Sequence, residues 1–224
     1  PTAAWNCDPD EDPEGCLARP FLREGAVLAV AIITDEADCS VKDYAIMTDQ
    51  NYFDDLDGQY LPSSAICWNA GVTCNGPDAN GVYVNCSSDD SDDVMQPVAR
   101  YTEFLNDYVK GGLGKEVVML GILGVPPVTE HNPMSPHEPI EGGVHDLVYR
   151  QWRESDILEE DMLAGIDVEH QQWAFGIGPG CTGTDGMGNV TGQAIPPVRI
   201  KEVCESLNYD DKVRCCIESV CDDD

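Results

Sequence analysis

The residues best placed to do chemistry are the acids that follow an apolar run. Ala26-Val-Leu-Ala-Val-Ala-Ile-Ile33 ends abruptly in Thr34-Asp-Glu-Ala-Asp-Cys-Ser40. Ligands of open parallel sheets bind beyond the carboxyl ends of the strands, where this run presents Asp35 with Glu36 and Asp38 as neighbours. Carboxylate oxygens suit hard cations, so the expectation is a Ca²⁺ or Mg²⁺ site at Asp35, Glu36 and Asp38, set against the plainer reading that Asp35 caps a turn. A second acidic string, Cys7-Asp-Pro-Asp-Glu-Asp-Pro-Glu-Gly-Cys16, alternates Asp8, Asp10 and Asp12 inside a disulfide loop and resembles an oxygen-rich Ca²⁺ cradle. It lacks the sixth-position Gly and twelfth-position Glu of an EF-hand, and Asp54-Asp-Leu-Asp-Gly58 fails the same test. Ser87-Ser-Asp-Asp-Ser-Asp-Asp93 reads as a solvated loop.

Other chemistries find less support. His131, His137 and His145 lie near Glu138 and Asp146, as a transition-metal site would require. Their spacing is irregular and no helix fixes it, so they read as scattered surface histidines. There is no G-x-S-x-G elbow, no H-E-x-x-H and no P-loop. The Gly-rich stretch Gly176–Gly186 lacks the strand-to-helix context that cradles phosphate. Asn85 and Asn189 match the N-glycosylation pattern. The chain is therefore expected not to be an enzyme.

Charge narrows the partners. Twelve Lys and Arg oppose 42 Asp and Glu, a formal net charge of −30 over 224 residues. Nucleic-acid recognition needs a cationic footprint, and an anionic membrane surface repels such a chain. No apolar run approaches the roughly 18 residues of a membrane helix, so direct membrane insertion is not expected. Leu, Ile, Val and Phe make up about 22% of the chain, just above the roughly 20% below which a highly charged chain is disordered.

The cysteines place the chain in an oxidising compartment. Eleven of them, Cys7, Cys16, Cys39, Cys67, Cys74, Cys86, Cys181, Cys204, Cys215, Cys216 and Cys221, show neither zinc-ribbon nor haem-attachment spacing. All but one read as structural disulfides, with the connectivity open. Adjacent Cys215 and Cys216 are expected to go to different partners, and an odd count leaves one thiol over.

These groups need elements to position them. Residues 1–20 read as an acidic, Cys-stapled arm and residues 21–224 as one α/β domain with long insertions at 41–93 and 126–180. Residues 26–33, rich in β-branched side chains, read as a strand buried on both faces of a parallel sheet. Residues 41–93 read as a disulfide-pinned excursion outside the core. Residues 94–110 set Val94, Val98, Tyr101, Phe104, Leu105 and Tyr108 on one helical face, with Gly111-Gly112 as the stop. Residues 115–124 form a second buried strand, completing a parallel β-α-β unit. Five prolines make 126–139 extended, and 146–166 has a helical period around Val148, Trp152, Ile157 and Leu158. The end of the chain reads as a helix over 198–207, a turn over 208–211 and a strand over 213–220.

Three stretches carry a resemblance to a family. Phe21–Ser40 resembles the central strand and following loop of von Willebrand factor A-type domains, in the cysteine-rich secreted or lipoprotein branch of myxobacteria-like bacteria. Residues 94–125, and Ala194–Lys201 followed by Cys216–Asp224, extend the similarity to about half of the chain. The resemblance implies a Rossmann-like, mainly parallel sheet with flanking helices and a metal-ion-dependent adhesion site. The family's strand-end Asp maps onto Asp35. The chain departs from the pattern in having no D-x-S-x-S, the string that supplies most of that metal's ligands. It thus reads either as a trimmed product resembling the C-terminal part of such a domain or as a domain that has lost its metal site.

The resulting expectation is a secreted or cell-surface, non-enzymatic adhesion module that binds a protein partner, with Ca²⁺ or Mg²⁺ at the acidic loop. The alternative is a structural subunit that self-assembles into an extracellular filament, sheath or surface layer and carries a vestigial metal site.

Overall fold

A computed structural model describes residues 22–48, 63, 65–91 and 94–222. The strands are Leu28–Ile33 (β1), Val72–Asn75 (β2), Val82–Ser88 (β3), Val117–Leu123 (β4), Val128–His131 (β5), Pro139–Gly142 (β6), Tyr149–Arg150 (β7), Cys181–Thr184 (β8), Val190–Ala194 (β9) and Cys215–Ser219 (β10). The α-helices are Ala65–Gly71 (α1), Ala99–Glu103 (α2), Glu159–Leu163 (α3), Val168–Phe175 (α4) and Val198–Glu205 (α5).

The two most apolar runs of the chain pair with each other. β1 and β4 lie parallel, with Leu28 opposite Val117 and Ile33 opposite Ile122, and β10 adds in parallel on the far side of β4. The order β1-β4-β10 makes β4 the central strand, and its alternate residues Val117, Met119 and Leu123 are buried. They pack with Leu105, Val109, Cys204, Leu207 and Ile217 into the largest core cluster. At about 1.5–3 kcal/mol for each fully buried aliphatic side chain, this cluster is the main apolar contribution to the parallel unit.

The sheet is covered on one face, which corrects the expectation of burial on both. Ala29, Ala31 and Ile33 of β1 are exposed, as are Val118 and Leu120 of β4, while their sheet neighbours on the other face turn inward. The helices lie on the face of Val117 and Met119, and among the described residues the opposite face is reached only at its β10 edge, where His131 of β5 meets Glu218. An unbroken apolar run therefore marks the strand correctly and overstates its burial.

The helix expected over 94–110 begins later and changes form. Pro97 disfavours helical backbone at Gln96, and the Asp90 carboxylate accepts from the Val98 N–H at 3.0 Å, so the first helical residue is Ala99. From Phe104 to Gly112 the chain continues as a π-helix. Its wider turn buries Leu105 and Val109 and leaves Phe104 and Tyr108 outside, stacked with ring centroids 5.5 Å apart.

Two further expectations need correction. Residues 41–93 contain a core of their own: α1 is buried along most of its length, and Ile66 and Ala70 pack with Ile46 and Met95. β2 and β3 form an antiparallel hairpin, and β7 extends it. The helical period of 146–166 does not produce one helix. Tyr149 and Arg150 are claimed by pairing with β3, Asp156 accepts from the Arg150 guanidinium, Glu154–Asp156 is a single 3-10 turn, and only Glu159–Leu163 is α-helical. The better helix, α4, starts where Asp167 accepts from the His170 N–H at 3.0 Å and ends at left-handed Gly176.

Candidate functional site

β1 delivers the acidic loop beyond its carboxyl end, as expected, but the three acids have different situations. Asp35 and Glu36 are exposed. The loop backbone is fixed: the Ile195 N–H donates to the Asp35 carbonyl at 2.7 Å, and the Glu36 N–H donates to Thr34 Oγ1 at 3.1 Å. Asp38 is half-buried and its carboxylate is occupied. It accepts from the Ser40 N–H at 3.0 Å, the Ser40 hydroxyl at 2.8 Å and Arg199 Nε at 2.9 Å.

Arg199 is the residue that sequence reasoning missed. It lies on α5 with 3% of its surface exposed. Its guanidinium donates to Asp38, to the Gly71 carbonyl at 3.3 Å, to Asp90 at 3.4 Å and to the Gln96 carbonyl. One planar fork thus ties α5 to the loop after β1, to the end of α1 and to the segment between β3 and α2, a bonding pattern that five rigidly spaced N–H donors permit and a lysine does not. One turn further on, Glu202 accepts from the Ser88 N–H at 2.7 Å. The available signal was an Arg inside the apolar string Ile195-Pro-Pro-Val-Arg-Ile200 of a chain with few cations.

The other candidate ligands do not converge. Among the described residues no group of three His, Cys, Asp or Glu side chains is placed to hold a metal ion. His131 pairs with Glu218 at 3.1 Å, and His137 Nδ1 meets the Asn132 carbonyl at 3.0 Å. Asp8, Asp10, Asp12, Cys7 and Cys16 lie outside the described residues. In the acidic loop around residue 90, hydrogen bonds from the Ser91 hydroxyl and N–H hold the Asp89 carboxyl below the usual carboxylate range.

The cysteines resolve into four disulfides among the described residues: Cys39–Cys67, Cys74–Cys86, Cys181–Cys221 and Cys204–Cys215. Cys215 is bonded to Cys204 rather than to Cys216, because adjacent strand residues point to opposite faces. Cys216 is a free thiol, half-buried beside Leu120 on the open sheet face. Burial, and then Glu218 and Glu138, push its pKa up, which disfavours the thiolate needed for nucleophilic work.

The Gly-rich stretch has a packing role. A Cβ on Gly180 would stand 2.0 Å from the Gly124 carbonyl oxygen, and one on Gly178 would stand 2.8 Å from that of Arg150. These glycines let three backbone segments cross at the carboxyl end of the sheet. Disulfides of this number fit an oxidising compartment, and no helix among the described residues is long and apolar enough to cross a membrane. Compared with protein-family models, curated proteins and solved structures, the chain matches none of them.

Proposed function

We propose that the chain is a secreted or cell-surface, non-enzymatic interaction module, in keeping with its resemblance to von Willebrand factor A-type domains, and that it binds a protein partner through the Asp35–Glu36 loop. The observation that carries this reading is the contrast between a rigid base and exposed acids. The Asp38–Arg199 pair and the Cys39–Cys67 disulfide fix the loop below the exposed residues Asp35 and Glu36. A pre-fixed binding loop loses little conformational entropy on association, and paired carboxylates select a basic partner surface. Ca²⁺ or Mg²⁺ enters this reading second. With Asp38 committed to Arg199, the loop's exposed acids are Asp35 and Glu36, against the roughly six to eight oxygens of a Ca²⁺ shell.

The test is affinity capture of surface or secreted proteins on the immobilised oxidised chain, with Asp35→Ala and Glu36→Ala as comparison baits, in Ca²⁺, in Mg²⁺ and in chelator. The expected result is a basic partner retained by the parent chain and lost from both variants. Partner binding and divalent-ion affinity that are both unchanged by Asp35→Ala refute the assignment.

The alternative, a self-assembling structural subunit, is favoured by a different observation. Ala31, Leu120 and Cys216 form one row across a sheet face that is exposed at β1 and β4, and parallel sheets are ordinarily covered on both sides. Negative-stain images showing only isolated particles of the oxidised chain count against this second reading.

A further inference from the structure

Between the covered face of the sheet and its helices lies a cavity of about 300 Å³. Protein interiors are packed with few voids larger than a water molecule, so an opening of this size in a small core is a built feature. Val30 and Met119 form its floor, Leu105 and Val203 its sides, and Phe104, which is 47% exposed, stands at its mouth. The walls are almost entirely carbon. Of the residues with polar side chains that line it, Asp38, Tyr101 and Arg199, Asp38 and Arg199 are bonded to each other, and the Arg199 guanidinium is further engaged by Gly71, Gln96 and Asp90. An occupant is offered no hydrogen bond by this pair.

The wall has a second feature. The α-to-π transition falls at Phe104. π-Helical segments are rare and concentrate at functional sites. Here the altered turn directs Leu105 into the core cluster while Phe104 faces the mouth.

We propose that this cavity binds the alkyl chain of a single-chain amphiphile whose head is cationic. The size follows from volume: an apolar cavity of roughly 150 Å³ takes up benzene, so twice that space holds a chain of about ten carbons. The head follows from charge. Phe104 also borders a separate surface hollow on its other side, lined by Glu103 and Asp107 with Arg100 as its cation, and the chain carries −30 overall. A carboxylate head is repelled at this entrance and an ammonium head is attracted, with the ring face of Phe104 beside it as a cation–π partner.

The experiment is calorimetric titration of the oxidised chain with decyltrimethylammonium below its micelle concentration, with decanoate as the equal-length anionic probe. Two cavity-filling variants, Val203→Phe and Val30→Phe, approach the space from the helix side and from the sheet side. The expected result is saturable one-to-one binding of the ammonium probe, at least tenfold weaker for decanoate and at least tenfold weaker in whichever variants keep the parent unfolding transition. Absence of saturable binding, equal affinity for decanoate, or binding that survives in a folded cavity-filling variant overturns the proposal.

Discussion

Replacing Arg199 by methionine keeps most of the side-chain volume and removes the fork that joins α5 to the loops at Asp38, Asp90, Gly71 and Gln96. Removing one partner of a buried ion pair costs about 3–5 kcal/mol, because the remaining charge stays desolvated. The Asp38 and Asp90 side chains retain 22% and 34% of their exposure, so water recovers part of that loss and the lower end, about 3 kcal/mol, applies. At roughly 2–4 °C per kcal/mol for a chain of this size, the unfolding transition falls by about 6–12 °C. The assay is thermal and urea unfolding of the oxidised protein at neutral pH. Arg199→Lys is expected to recover less than half of the loss, since an ammonium is a point charge with no planar fork. Asp38→Asn in the Arg199→Met background is expected to cost less than Asp38→Asn alone, the signature of a coupled pair. A transition for Arg199→Met within about 2 °C of the parent, which is a loss of under about 1 kcal/mol, refutes the view that this side chain fastens the carboxyl-end loops.

Two further outcomes follow from packing and from titration. Gly180→Ala drives a Cβ to 2.0 Å from the Gly124 carbonyl and is expected to cost about 3 kcal/mol or more. Gly186→Ala, in the same Gly-rich stretch but with nothing within 4 Å, stays within about 0.5 kcal/mol; equal urea midpoints for the two contradict the crossing of backbones described above. Burial, with Glu205 and Glu202 adding to it, pushes Tyr149 up to about 12. Its native pKa lies above the unfolded value of about 10, so the native state holds its proton longer and stability falls as pH rises from about 10 to about 12. Ultraviolet titration should show a late-ionising tyrosine that Tyr149→Phe removes, and a titration unaltered by that substitution refutes the assignment.

The parallel sheet was legible because pairing strands in an α/β unit are written as compact apolar runs. β1, β4 and β10 all fall within their expected bounds, and α5 with the turn after it falls close to its own. The exposed face was not legible, since Ala29, Ala31 and Ile33 are as apolar as the residues that point inward. α4 was missed although Asp167 and Gly176 cap it at the two ends, because the period around Val148 and Trp152 drew attention to residues that tertiary pairing holds extended. Of the acidic loop, sequence located Asp35, Glu36 and Asp38 at the strand end. The commitment of Asp38 to Arg199 spans 161 positions of separation, and no local pattern encodes a contact of that range.

The disulfides divide the described chain in a way that matters once it is cut. Cys39–Cys67 and Cys74–Cys86 close loops within residues 39–86, and Cys181–Cys221 and Cys204–Cys215 close loops within residues 181–221. No described disulfide links the two sets, so across that division the described chain is held by strand pairing, packing and the Arg199 fork. A protease that cleaves once between residues 132 and 137, where the β5–β6 hairpin turns at the surface, leaves two pieces that remain associated under native conditions. Denaturant without reductant separates them, each still cross-linked. Mixed again, such halves form a natural complementation pair.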